Sequence, residues 1–171
     1  YIHTLANVGI VSKGGNWFEP DRSITKQEAA AMLVRVLGYQ YLAEEKGGFP
    51  TGYMLAAGNL NLFDNTGNTD ESVSTGAAAQ LCANALDTDM MRQIKYGDNG
   101  EYKKEDGYTL AFDVFGIVHQ KGVVEAVDLS ALKGKNTTNP YYMTIDGISV
   151  YVNDIETIDY LGFSVDAFYK Y

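Results

Sequence analysis

The chain has 171 residues, 46% of them hydrophobic, so it can form a packed core and is not a disordered polymer. It holds 22 acidic and 13 basic residues, a net charge of −9. That balance argues against a nucleic-acid ligand and against attraction to anionic lipid, because both need a basic surface. No apolar run approaches the roughly 18 residues of a transmembrane helix. The single cysteine, Cys82, excludes an internal disulfide framework.

Apolar residues recur at helical spacing in four stretches of the first half of the chain, which predicts helices over 1–8, 26–37, 53–60 and 75–86. Thr25 immediately precedes the second stretch, and Glu28 lies three residues after Thr25. This spacing is typical of a capping box, in which hydroxyl and carboxylate each accept a bond from a free backbone N–H. Ser74 holds the equivalent position before the last stretch. The order of helix, polar loop and capped helix therefore occurs twice, over about 1–38 and 49–87.

The second half favours strands because it holds most of the 13 tyrosines and many Val, Ile and Thr residues. Asp146-Gly147 lies between two β-prone runs and predicts a hairpin with a type I′ turn. The stretch 163–171 alternates and places its apolar side chains on one face: Phe163, Val165, Ala167, Tyr169 and Tyr171. Such a strand pairs either within its own sheet or with a neighbouring copy, and the sequence leaves both possibilities open.

These patterns predict an α+β fold with two domains. The first is a helical module at 1–95, which contains both copies of the helical pattern. The second is a small, mostly antiparallel β domain at 96–171. The turn-rich stretch 96–100 is the predicted join between them.

The first copy contains Gly9-Ile10-Val11, then Phe18-x-Pro20-Asp21, and then Ile24-Thr25-Lys26-Gln27-Glu28 ahead of an apolar helix. This run resembles the S-layer homology domain, a bacterial cell-surface module. Residues 49–87 resemble a second, degraded copy of it. The whole chain is also similar to clostridial cell-surface proteins in which such repeats precede a β-rich region, with an aromatic-Pro-Thr-Gly-Tyr segment like 49–53 between the repeats.

The resemblance implies attachment to a secondary cell-wall polysaccharide, often a pyruvylated one, and an extracellular location at the cell wall or cell surface. The family's motif arginine is Lys26 here and its glutamate is Glu28, whereas the second copy has Thr75 and Ala77 at these positions. A ketal carboxylate needs a cation and free helix N-terminal N–H groups. The candidate ligand-binding residues are therefore Lys26, Trp17, Arg22, Thr25 and Glu28.

Each candidate also has a purely structural interpretation. The capping box fully explains Thr25 and Glu28. Trp17 is favoured as a hydrophobic anchor beneath its loop, although it could stack on a sugar. Arg22 is favoured as a solvated or carboxylate-paired side chain. Lys26 is unfavourably placed against the helix dipole in a first turn, which raises interest in a ligand role.

Catalytic and metal-binding motifs are absent from the sequence. It has no nucleophile elbow, P-loop or His-Glu-x-x-His, and its two histidines show no zinc-site spacing. The oxygen-rich loop 64–71 fails the EF-hand spacing. Cys82 lies on the predicted apolar stripe of its helix and is expected in the core. We therefore predict a non-enzymatic structural protein that uses neither a metal nor a cofactor.

Two alternatives to wall attachment remain open at this point. In one, the chain is a subunit or adaptor of a large assembly, such as an S-layer, surface filament or virion. The helical module would then serve for packing, and copies or other subunits would join through β edge strands. In the other, the chain is a fragment of a larger carbohydrate-active surface enzyme whose catalytic part lies outside these residues.

Overall fold

The computed structural model describes residues 1–12, 19–67, 72–95, 101–152 and 157–170. The fold is α+β, as the sequence predicts. It divides into two compact units, Tyr1–Phe115 and Gly116–Tyr171. Trp17 lies outside the described residues.

Among the described residues, five α-helices and two strands belong to the first unit, and four strands belong to the second. The helices are α1 (Ile2–Asn7), α2 (Lys26–Val36), α3 (Gln40–Glu45), α4 (Thr51–Asn59) and α5 (Thr75–Leu86). The strands are β1 (Asp89–Lys95), β2 (Glu101–Thr109), β3 (Ile117–Ala126), β4 (Tyr142–Ile145), β5 (Ile148–Tyr151) and β6 (Ser164–Lys170). A π-helical turn, Leu110–Val114, follows β2, and a 3₁₀ turn, Thr157–Tyr160, precedes β6.

The helices lie close to where the apolar periodicity predicts them. Helix α5 has the predicted bounds, while α2 and α4 differ from prediction by one or two residues at their ends. Helix α3 is not among the predicted helices. Cys82 was expected in the core and is exposed, which corrects that prediction. The buried stripe of α5 runs through Ala77, Leu81 and Ala85, and Cys82 lies about 100° around the helix from Leu81.

Small side chains let the helices of the first unit approach one another closely. Ala30 and Val34 of α2, together with Tyr53 and Ala57 of α4, are completely buried. The tightest approach is at Gly52, where a Cβ would lie 1.9 Å from the carbonyl oxygen of Ala43 in α3. Only glycine fits between α3 and α4 at this point.

Strands β1 and β2 belong to the helical unit because they pack on its core. Met90 is buried there, and the Met91 N–H donates to the Leu37 carbonyl at 2.9 Å. The Tyr39 hydroxyl donates to the Asp89 carbonyl at 2.9 Å. The predicted change at 95 and 96 therefore falls inside the first compact unit, and the assignment of 1–95 and 96–171 as domains stays a prediction.

The second unit is one antiparallel sheet with strand order β5-β4-β3-β6. The predicted hairpin is confirmed: β4 and β5 pair through Asp146 and Gly147, whose φ values of 45° and 81° suit a type I′ turn. The core of the sheet is apolar and contains Val124, Val127, Met143, Ile145 and Val150.

Strand β6 pairs with β3 inside its own sheet, which is one of the two arrangements left open by the sequence. Val165, Ala167 and Tyr169 pack against the core on one face, as predicted. Phe163 precedes the strand and is exposed, so it does not extend that face. Tyr171 lies outside the described residues.

Among the described helices, none has the length and apolar character needed to cross a bilayer.

Replacing Gly52 with alanine should destabilise the first unit by about 2 kcal/mol or more, because the new Cβ would collide with the backbone of α3. Gly58 is the matched control in the same helix, since a Cβ there meets nothing within 4 Å. Gly58→Ala should leave stability unchanged or raise it by up to about 1 kcal/mol. Urea unfolding followed by circular dichroism measures both, and equal midpoints for the two variants would contradict the close approach.

Candidate functional site

The candidate site is the start of helix α2, where the predicted capping box is confirmed. Thr25 is the N-cap, and its hydroxyl oxygen accepts from the Glu28 N–H at 3.2 Å. The Glu28 carboxylate in turn accepts from the Thr25 N–H at 2.9 Å and from the Thr25 hydroxyl at 3.0 Å. These reciprocal bonds satisfy backbone groups that a helix start otherwise leaves free.

Arg22 extends the cap into an ion pair. Its guanidinium donates to both Glu28 carboxylate oxygens, at 3.1 and 2.6 Å, and lies 3.4 Å from Glu19. The bond from Arg22, followed by that from the Thr25 N–H, lowers the pKa of Glu28 from 4.5 to about 2. The same Arg22–Glu28 bond raises the pKa of Arg22. Two carboxylates therefore already neutralise the Arg22 charge.

The ammonium of Lys26 contacts an aromatic ring. It lies 4.5 Å from the centre of the Phe63 ring, just beyond α4 in the chain. No ion pair joins Lys26 to another residue in the described part of the chain. A ring holds a cation electrostatically, and this contact uses none of the ammonium's hydrogen-bond donors.

The segment before α5 contacts the segment before α2. The Val73 N–H donates to the Ile24 carbonyl at 2.9 Å, so the two segments that precede the capped helices are joined directly. Ser74 caps α5 by accepting from the Ala77 N–H at 3.2 Å. The positions of Lys26 and Glu28 are occupied by Thr75 and buried Ala77, so this helix start has the cap without its charges.

Two side chains of the helical unit make contacts that sequence reasoning did not predict. Phe63 supplies the ring beneath Lys26, and no local motif links the two because they meet only in the folded chain. Arg35 lies in the last turn of α2, at the opposite end of the helix from the site. It donates to the Ile10 carbonyl and the Ser12 hydroxyl, both at 3.1 Å, and lies over the Tyr53 ring. Arg35 thereby ties the segment after α1 to the helical core.

The structure thus brings Arg22, Thr25, Lys26 and Glu28 together at one helix start. Their contact with a ligand stays a prediction, as does that of Trp17. Within the described ranges, no three His, Cys, Asp or Glu side chains cluster as a metal site would require.

Part of the chain is similar in sequence to bacterial cell wall and surface layer proteins. It is 31% identical over 80 residues to the middle cell wall protein of Brevibacillus brevis, covering 47% of this chain and 7% of that protein. It is 27% identical over 120 residues to a surface layer protein of Brevibacillus choshinensis, covering 70% of this chain and 10% of that protein. The chain therefore spans a tenth or less of the length of these curated relatives. No protein-family model matches it, and no solved structure matches it significantly.

The Glu28 ion pair should make stability depend on pH. Because the folded-state pKa of about 2 lies below 4.5, ionised Glu28 stabilises the fold above pH 4.5, and this contribution is lost as pH falls toward 2. Glu28→Gln keeps the cap but removes the charge. At neutral pH the free energy of unfolding should be about 1 kcal/mol higher for wild type than for the variant. The difference is no larger because solvent screens a part-exposed pair.

Urea unfolding at a series of pH values measures this gap, which should close as the pH falls toward 2. Arg22→Gln removes the largest cause of the lowered Glu28 pKa and should shift the loss of stability to higher pH. A gap between wild type and Glu28→Gln that stays constant with pH would contradict the ion pair.

Proposed function

We propose that this chain is a segment of a non-enzymatic, extracellular structural protein of the bacterial cell surface. We further propose that its helical unit attaches to an acidic secondary cell-wall polysaccharide. The names of the two relatives, a middle cell wall protein and a surface layer protein, support the surface role. The position of Lys26 at the capped start of α2 supports the attachment.

Lys26 carries the glycan proposal because its neighbour Arg22 is already neutralised by Glu28 and Glu19. A sugar with a carboxylate, such as a pyruvyl ketal, offers an anion to the ammonium. The apolar face of the same sugar can lie against the part-exposed Phe63 ring. The chain as a whole repels a polyanion, because its net charge is −9. Binding should therefore be local to this helix start and should weaken with salt.

A second candidate function is that of an assembly subunit whose helical copies serve for packing alone. The observation that favours it is the loss of both charged groups from the second copy, where Thr75 and Ala77 replace them. The surface layer protein that aligns with 70% of this chain also fits such a role.

Cosedimentation with cell-wall sacculi separates the two candidates. Sacculi of Brevibacillus brevis serve as the probe, before and after acid removal of the secondary polymer. Attachment predicts that the purified chain pellets with native sacculi and stays in solution with the extracted ones. Absence of binding to both preparations would contradict attachment and would favour the assembly subunit.

Lys26→Ala should weaken this cosedimentation by about tenfold, since a hydrogen bond to a charged group contributes about 1.5–3 kcal/mol. Lys46→Ala is the matched control, because Lys46 is an exposed lysine of the same unit at the end of α3. The control should bind like wild type. Equal losses in both variants would show that overall charge, and not Lys26, governs binding.

A further inference from the structure

Strand β6 forms one outer edge of the second sheet, with β3 on its inner side. It has seven residues, compared with four in β5 at the opposite edge. We infer that β6 pairs antiparallel with β6 of a second copy of this chain, which would join two sheets into one. This inference concerns the second unit and does not depend on glycan attachment by the first.

The hydrogen-bond alternation of the sheet fixes which residues of β6 face the free edge. The Val124 N–H donates to the Phe163 carbonyl at 3.0 Å, and the Val124 carbonyl accepts from the Gly162 N–H at 2.9 Å, so the backbone groups of Val124 face the β6 side of β3. Bonded and non-bonded pairs alternate along an antiparallel ladder. Residues 165, 167 and 169 therefore bond to β3, while Asp166, Phe168 and Lys170 direct their N–H and C=O groups outward.

This edge lacks two of the common features that prevent edge pairing, a bulge and a proline. The register between β3 and β6 runs without a bulge from Ile117↔Lys170 to Val123↔Ser164. Strand β6 contains no proline. Charged side chains are a third feature that commonly blunts an exposed edge. The charges that β6 does carry, on Asp166 and Lys170, have opposite signs and can pair with each other across a two-fold axis.

A two-fold axis at Phe168 makes the strand complementary to itself. Asp166 then lies opposite Lys170 of the second copy, twice by symmetry, and Phe168 lies opposite its own equivalent. On the other face, small Ala167 meets large Tyr169. In this register the backbone hydrogen bonds between the two copies are formed by Asp166, Phe168 and Lys170, whose N–H and C=O groups point outward. Opposite charges and aromatic pairs are favourable cross-strand neighbours.

The neighbouring registers are less favourable. An axis at Asp166 places two aspartates directly opposite each other, which is destabilising. An axis at Ala167 leaves Asp166 opposite Phe168 and Lys170 opposite Ser164, with no charge pair. The axis at Phe168 alone gives every charged residue of the strand an opposite partner.

The side chains that meet the second copy are held in position by β3. Phe168 is 58% exposed and stacks on His119, with ring centres 4.1 Å apart and planes at 14°. Asp166 is bonded to His119 and lies 3.2 Å from Lys121, yet its side chain is 54% exposed. Lys170 forms no ion pair with any residue that the structure describes. Its side chain is exposed, so its ammonium can reach Asp166 of the second copy.

Sedimentation velocity of the full chain over a concentration series tests the pairing. Wild type should shift from monomer to dimer as concentration rises. Lys170→Glu faces Asp166 with a like charge and should raise the dimer dissociation constant by about tenfold or more. Lys133→Glu, in an exposed loop of the same unit, makes the same charge change away from the edge and should dimerise like wild type.

A mixture of two variants tests the register itself. Asp166→Lys alone should also be monomeric, because two lysines then face each other. Mixed with Lys170→Glu, it should form a heterodimer in which both cross-strand pairs are again opposite in charge. Circular dichroism confirms that each variant is folded. A wild type that stays monomeric throughout, a mixture that does not dimerise, or equal effects of Lys170→Glu and Lys133→Glu would overturn the inference.

Discussion

The candidate site depends on the hydrogen bonds and the ion pair that the Glu28 carboxylate forms. This carboxylate closes the capping box with Thr25 and binds the guanidinium of Arg22 in two places. One anion thereby fixes the first turn of α2 and neutralises the nearest arginine. Lys26 occupies the first helical position, and its charge has the Phe63 ring as its partner. Because Glu28 neutralises Arg22, Lys26 is the positive charge at this helix start that we expect a ligand to contact.

Helices α2 and α5 begin with the same kind of cap but differ in the charged residues around it. Both helices begin with a hydroxyl cap, and a backbone bond from Val73 to Ile24 joins the segments that precede them. Arg22 and Glu28 add a charged layer to the first cap alone, because the second copy has Ala77 in place of the glutamate. Both helices thus share the hydroxyl cap, and the first adds an ion pair that should stabilise its helix start.

Sequence reasoning succeeded where the signal is local and failed where it depends on tertiary contact. The Thr25–Glu28 box and the Asp146–Gly147 turn are set by residues next to one another, and both are confirmed. The contact of Lys26 with Phe63 joins distant parts of the chain and has no sequence signature. Likewise, the predicted β domain at 96–171 includes β2, while β1 is not among the predicted strands. Met90 packs them on the helical core, so they belong to the first compact unit.

We propose that an acidic wall polymer binds at the start of α2. Titration of the isotopically labelled chain with soluble, purified secondary polymer, followed by nuclear magnetic resonance, tests this binding site. Binding there should cause shifts centred on the Lys26 side chain, the Thr25 amide and the Phe63 ring, and salt should reverse them. Shifts confined to α5 or to the second unit, or no shifts at saturating polymer, would contradict it.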